Sequence, residues 1–111
     1  MDWTTRLNKV MDYVEASVHG EISEEEISKI AACPYSMFQS SFSQIVGIPF
    51  SEYVRRRRLT MAAYELLNTD RKLLDIAMDY GYQSDDAFRV AFKNLYGITP
   101  AEVRKSNPCL L

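Results

Sequence analysis

The sequence predicts an all-α fold: two similar lobes of short helices joined by one long helix. Three observations carry this expectation. The first is a repeat, in which Ser36-Met37-Phe38-Gln39-Ser40-Ser41-Phe42-Ser43-Gln44-Ile45-Val46-Gly47-Ile48-Pro49 is echoed by Asp86-Ala87-Phe88-Arg89-Val90-Ala91-Phe92-Lys93-Asn94-Leu95-Tyr96-Gly97-Ile98-Thr99-Pro100. Each copy has two Phe separated by three residues, a Gly five residues further on, and then Ile. A unit of about 50 residues used twice points to two related helical modules. The second observation is that apolar residues recur at helical spacing along most of the chain. The third is composition: 47% hydrophobic and 12% aromatic residues in 111 suffice for a folded core and argue against disorder.

Leu7, Val10, Met11 and Val14 fall on one face of a helix over residues 4–18, ending near Gly20. Ser23-Glu24-Glu25-Glu26 has the form of a capping box, and Ile27, Ile30 and Ala31 give the second helix a buried face. Pro34 either interrupts this helix or opens the next, whose inward face is expected to carry Phe38, Phe42 and Ile45. Gly47 and Pro49 stop that third helix.

The fourth helix is expected from about Ser51 to Asn68, with Val54, Leu59, Ala62, Ala63, Leu66 and Leu67 inward. Its length of about 25 Å would make it a spacer between lobes. The fifth helix contains Leu73, Ile76 and Ala77, and Gly81 lies in the turn after it. Ser84 caps a sixth helix with Phe88, Phe92 and Leu95 inward. Thr99-Pro100-Ala101-Glu102 opens a seventh, with Thr as cap, Pro first and Glu third. The resulting division is a first lobe at 1–48, a spacer at 49–69, a second lobe at 70–107 and a boundary to a further domain at 108–111.

Charge separates the regions more than the net value of -2 suggests. Residues 1–32 balance at -4, residues 33–69 at +2, and residues 70–111 at zero. A charged partner meets the local surface rather than the sum, so the run Arg55-Arg56-Arg57-Arg58 is the candidate basic contact. Cys33 and Cys109 lack metal-ligand spacing and read as two free thiols of a cytoplasmic chain. No segment is apolar enough to cross a bilayer, so no membrane partner is expected, and the start does not have the form of a signal peptide.

Enzymatic chemistry finds little support. His19 stands beside Gly20 with no partner set in sequence, and no phosphate cradle or nucleophile elbow is present. Asp75, Asp79, Asp85 and Asp86 lack the alternating oxygen spacing of a calcium loop, and helix-start electrostatics account for the last two. No cofactor or metal is therefore expected. Short helix, turn and second helix, used twice, is a helix-turn-helix arrangement in form. Double-stranded DNA is the expected partner. The competing expectation is a helical protein-interaction module on the same scaffold, with weak or non-specific DNA binding.

The stretch Leu73-Leu74-Asp75-Ile76-Ala77-Met78-Asp79-Tyr80-Gly81-Tyr82-Gln83-Ser84, followed by Phe88 through Lys93, Gly97-Ile98-Thr99-Pro100 and Arg104, closely resembles the DNA-binding domain of AraC/XylS-type transcriptional regulators. Phe38, Phe42, Gly47 and Tyr53 match that family's first lobe, and Arg58-Leu59 with Ala62, Ala63, Leu66 and Leu67 its spacer. The resemblance covers about residues 5–105. It implies a seven-helix, homeodomain-like arrangement of two helix-turn-helix lobes, whose third and sixth helices enter successive major grooves roughly 34 Å apart.

By resemblance, base-facing positions fall at Ser36, Met37, Gln39, Ser40 and Ser43 in the first reading helix, and at Asp85, Asp86, Arg89 and Val90 in the second. Many members carry arginine at the positions of Ser40 and Val90, so this chain departs from the pattern at both. Gln suits adenine, Asp a cytosine amino group, and Met or Val a thymine methyl, while Arg89 is the strongest polar candidate. Phosphate contacts are expected from Arg55, Arg56, Arg57 and Lys93. Arg58 is expected to be structural, and Arg55 or Arg56 the more exposed. The resemblance further implies contact with RNA polymerase. The order of elements is similar to the subgroup in which a GyrI-like domain follows and binds a small-molecule effector; it is equally compatible with the family's stand-alone two-lobe activators, which bind asymmetric sites as monomers.

Overall fold

The computed structural model describes residues 2–106, and seven helices account for most of them. In chain order they are α1 (Trp3–Ala16), α2 (Glu24–Ala31), α3 (Tyr35–Val46), α4 (Phe50–Asn68), α5 (Leu73–Asp79), α6 (Asp85–Tyr96) and α7 (Pro100–Ser106). The all-α, seven-helix expectation holds. The chain divides into two units within α4, the first running to Arg55 and the second starting at Arg56. The domain boundary expected at 108–111, with Cys109, lies outside the described residues.

In the first unit, α1 begins on Asp2, whose carboxylate accepts the Thr5 N–H at 2.7 Å. That bond, with a further contribution from Arg6, holds the Asp2 carboxyl below its ordinary range. The helix ends at Ala16, earlier than the apolar period suggests, although Val18 beyond it is still buried. The capping box at Ser23 is only half made. Ser23 Oγ accepts the Glu26 N–H at 3.2 Å, but the Ser23 N–H goes to the Tyr13 hydroxyl at 3.0 Å rather than to the Glu26 side chain. A side chain from α1 thus completes the cap of α2 and ties the two helices together.

Val10, Val14, Ile27, Ala31, Phe38, Phe42 and Phe50 form the core of this unit. Phe50, which opens α4, stands edge-on to Phe38 at 5.0 Å and to Phe42 at 5.1 Å, an arrangement favoured by the ring quadrupoles. Here the structure corrects one expectation. Ile45 is 54% exposed, and Val46 packs against the core in its place. The inward stripe of α3 runs Phe38, Phe42, Val46, a steady four-residue step, so the three-residue step to Ile45 leads onto the outer face. Gly47, at φ 90°, closes α3 in the left-handed region with its N–H on Ser43 O at 2.9 Å.

The second unit buries Leu59, Ala62 and Leu66 from α4, Ile76, Ala77 and Tyr80 from α5 and its end, and Phe88 and Phe92 from α6. Val54, Ala63 and Leu67, expected inward along α4, are half-buried, as is Leu95 on α6. Ser84 caps α6 by accepting the Ala87 N–H, and Gly97 ends it as Gly47 ends α3. Thr99 accepts the Glu102 N–H at 3.1 Å, with Pro100 at the first helical position of α7. Polar ties supplement the apolar contacts. Arg71 Nη1 lies 2.8 Å from both Glu65 and Asp79, and the buried Tyr80 hydroxyl also bonds Glu65.

Candidate nucleic-acid interface

Each unit contains a short helix, a turn and a 12-residue second helix, namely α2–α3 and α5–α6. The turns reverse the chain through left-handed backbone at Ala32 (φ 58°) in the first unit and Gly81 (φ 86°) in the second. α3 and α6 are offset by 50 residues, so Phe38 and Phe42 correspond to Phe88 and Phe92. All four rings are buried and orient their helices. Whatever lies about half a turn away from them faces outward.

On α3 the outward residues are Ser36, Met37, Gln39 and Ser40, all exposed, with Ser43 half-buried one turn further along. Their spacing places them along one side of the helix. The surface is uncharged, and Met37, at 57% exposure, contributes an apolar side chain. On α6 the corresponding side presents Asp85, Asp86, Arg89, Val90 and Lys93. Asp85 is half-buried, the others are exposed, and Val90 is 61% accessible. Thus all nine sequence-expected base-facing residues and Lys93 lie on these two helices, in two sets of different chemistry.

The α6 set is internally paired. Arg89 Nη1 donates to Asp86 Oδ1 at 3.0 Å, and Arg89 Nη2 lies 3.3 Å from Asp85 Oδ2. Sequence reasoning attached these acids to the helix start and missed the clamp. Its only signal was spacing, since acids three and four residues before an arginine reach it on a helix.

The arginine run does not act as a block. Four successive helical positions sweep most of the circumference. Arg55 is half-buried and gripped by Glu52 through two bonds, Nε at 2.9 Å and Nη2 at 2.6 Å. Arg56 is exposed. Arg57 lies half-buried with Nη2 3.9 Å from Met61 Sδ. Arg58 turns toward the α5–α6 turn, its Nη1 3.7 Å from where a Cβ on Gly81 would sit. Of Arg55 and Arg56, only the second is therefore an exposed cation.

A further basic feature, unforeseen in the sequence, is an open groove of about 530 Å³ in the second unit. Its apolar lining includes Leu66, Leu73 and Pro100, with Arg89, Arg104 and Lys105 at its polar side. Among the described residues no group of three or more His, Cys, Asp or Glu side chains is arranged to hold a metal ion. No described helix is long and apolar enough to cross a membrane.

Comparison with known proteins agrees with this geometry. The family model described as "Helix-turn-helix domain" matches residues 27–106. The chain is 34% identical over 104 residues to the uncharacterized HTH-type transcriptional regulator YbfP of Bacillus subtilis (strain 168), covering 94% of this chain but 35% of that protein. It is 33% identical over 101 residues to the HTH-type transcriptional activator AarP of Providencia stuartii, covering 91% of this chain and 75% of AarP. A transcriptional regulator from Chromobacterium violaceum, described as an AraC-type DNA-binding domain-containing protein, superposes with a TM-score of 0.87 at 24% identity, over 95% of this chain and 96% of the other. The chain belongs to the helix-turn-helix family of transcriptional regulators, and its fold is that of the AraC-type DNA-binding domains.

Proposed function

We propose that the chain regulates transcription by binding a specific duplex sequence, with α3 and α6 as reading helices in successive major grooves. The observation that carries this reading is the burial pattern that the two helices share, each within its own unit. Each buries a Phe pair on one side and presents exposed side chains suited to base edges on the other. Gln39 is the candidate for adenine, Met37 and Val90 for thymine methyls, and Ser36, Ser40 and Ser43 for bases or phosphates. Asp85, Asp86 and Arg89 form the polar reading set of α6. Arg56 and Lys93 are exposed candidates for phosphate, and the half-buried Arg55 and Arg57 are candidates too, Arg55 held by Glu52.

On this reading the lobes comprise 1–48 and 70–107, with 49–69 as spacer. The chain spans 35% of YbfP and 75% of AarP; by the resemblance it would be the reader of a longer regulator. A small-molecule effector would then act through a separate domain, of GyrI-like type by the resemblance, and RNA polymerase would be met at the promoter. The competing reading, a helical protein-interaction module, draws support from the neutralisation of Arg55 and Arg89 by neighbouring carboxylates.

Selection of preferred duplexes from a random pool, followed by footprinting, separates the two. A recovered consensus with protection over two groove turns on one face of the duplex supports the DNA reader. Equal affinity for every duplex at moderate salt would sink specific recognition. Absence of salt-sensitive binding together with a stable protein complex would favour the interaction module.

A further inference from the structure

The fifty-residue repeat isolates one difference between the two outward faces. Ser36 and Gln39 on α3 correspond to Asp86 and Arg89 on α6. An uncharged pair in the first copy is replaced in the second by an ion pair, which Asp85 joins at 3.3 Å. We infer that Asp85 and Asp86, by holding Arg89, form a charge gate that makes α6 reject duplexes of the wrong sequence, so that this trio sets specificity at the expense of affinity. The inference rests on the DNA reading proposed above.

Neither helix electrostatics nor fold stability accounts for the whole trio. Acids in the first turn suit the positive end of the helix, which accounts for Asp85 and Asp86 but not for an arginine placed to reach both. An exposed ion pair of this kind adds little to stability. Asp86 is 85% accessible at its side chain and Arg89 about half so, which leaves the pair open to a partner in the groove.

Electrostatics then determine the consequence. Non-specific affinity for DNA comes from cations that displace counterions from phosphate. At the start of α6 the one arginine is matched by two carboxylates, leaving that turn net negative. A random duplex therefore gains no phosphate contact from Arg89 and meets carboxylate charge instead. A cytosine amino group changes the balance, because it donates to Asp86 and releases Arg89 for the O6 and N7 acceptors of a guanine. At a wrong base the same release leaves a carboxylate without a donor in the groove, a state that is penalised. The exchange of partners is balanced only where the base edges supply both halves.

The test compares the intact chain with D86N and D85N/D86N, using the duplex obtained by selection and a random-sequence duplex of equal length. Binding is followed by fluorescence anisotropy across a salt series, with circular dichroism confirming the fold. Because Asp86 is the more exposed acid, D86N alone keeps the test open if the double variant unfolds. Affinity of D85N/D86N for the random duplex should rise roughly three- to ten-fold, and the log–log salt slope should steepen by about one, as for one added phosphate contact. The ratio of selected to random affinity should fall. Adding R89A to the double variant should abolish the steeper slope. An unchanged ratio or slope in D85N/D86N would overturn the gate while leaving the wild-type protein a specific reader. Failure of the wild-type chain to discriminate between any duplexes would overturn both the gate and the reading beneath it.

Discussion

Arg104 of α7 donates from Nε to the carbonyl oxygen of Leu66 in α4 at 3.1 Å, while its Nη2 reaches Thr69 O at 2.9 Å. The last carbonyls of a helix have no intrahelical donor, and here one guanidinium supplies Leu66 together with the Thr69 carbonyl just past the helix end. Arg104→Ala should therefore lower stability by roughly 1–3 kcal/mol, read from the urea midpoint. Arg104→Lys should recover only part of it, since an ammonium lacks the planar fork. Equal stability of all three proteins would remove Arg104 from the structural account.

The contrast between Phe50 and Ile45 tests the corrected packing of the first unit. Phe50 is buried between Phe38 and Phe42, whereas Ile45 faces outward. Phe50→Ala should cost roughly 3–5 kcal/mol, and Ile45→Ala less than about 0.5. A large loss at Ile45 in thermal or urea unfolding would restore it to the core.

Ala32 occupies the left-handed region at φ 58°, a conformation that the second unit assigns to Gly81. An L-residue pays roughly 1–2 kcal/mol there, part of which a glycine returns through the greater freedom of its unfolded chain. The net expectation for Ala32→Gly is a stabilisation of about 0.5–1 kcal/mol, seen as a higher unfolding midpoint. Destabilisation would show that the Ala32 methyl group contributes more than its backbone strain.

Tyr80 provides the pH dependence. Burial first, and then its bond to Glu65, push the Tyr80 hydroxyl above its ordinary value of 10.0. The unfolded chain thus ionises this group before the folded chain does. Its contribution is fully present below about pH 10 and declines as pH rises above it. Tyr80→Phe should flatten that part of the decline relative to wild type. Parallel stability curves above pH 10 would contradict the assignment.

For DNA binding, Arg56 and Gln39 are expected to fail in different ways. Arg56→Ala should weaken all duplexes alike and reduce the salt slope by about one. Gln39→Ala should cost about 1–3 kcal/mol at a single base position and leave the slope unchanged. Uniform weakening by Gln39→Ala would move that side chain to the backbone.

Much of the scaffold is encoded in local sequence. The Phe pairs, the glycines at 47 and 97 and the caps at Ser23, Ser84 and Thr99 are local signals, each decided by residues within a turn or two. Hence the seven helices, their order and most of the residues they bury follow from sequence periodicity, although the three-residue step to Ile45 does not lead inward. The relation to the helix-turn-helix regulators was carried by the same residues.

Long-range contacts were not legible in this way. Tyr13 takes the Ser23 N–H that the capping box assigns to Glu26, because a hydroxyl from a neighbouring helix is placed to receive it. Arg104 finds carbonyls more than thirty residues away. The run Arg55-Arg56-Arg57-Arg58 looks uniform in sequence, yet helical rotation gives its members four different surroundings. Which segments are helical, and which sides they mostly bury, are short-range consequences of residue spacing and so are written in the chain itself. Packing between segments settled the ties that spacing leaves open, such as Arg71 with Glu65 and Asp79 and Arg104 with the Leu66 and Thr69 carbonyls, because these depend on distances that periodicity does not fix.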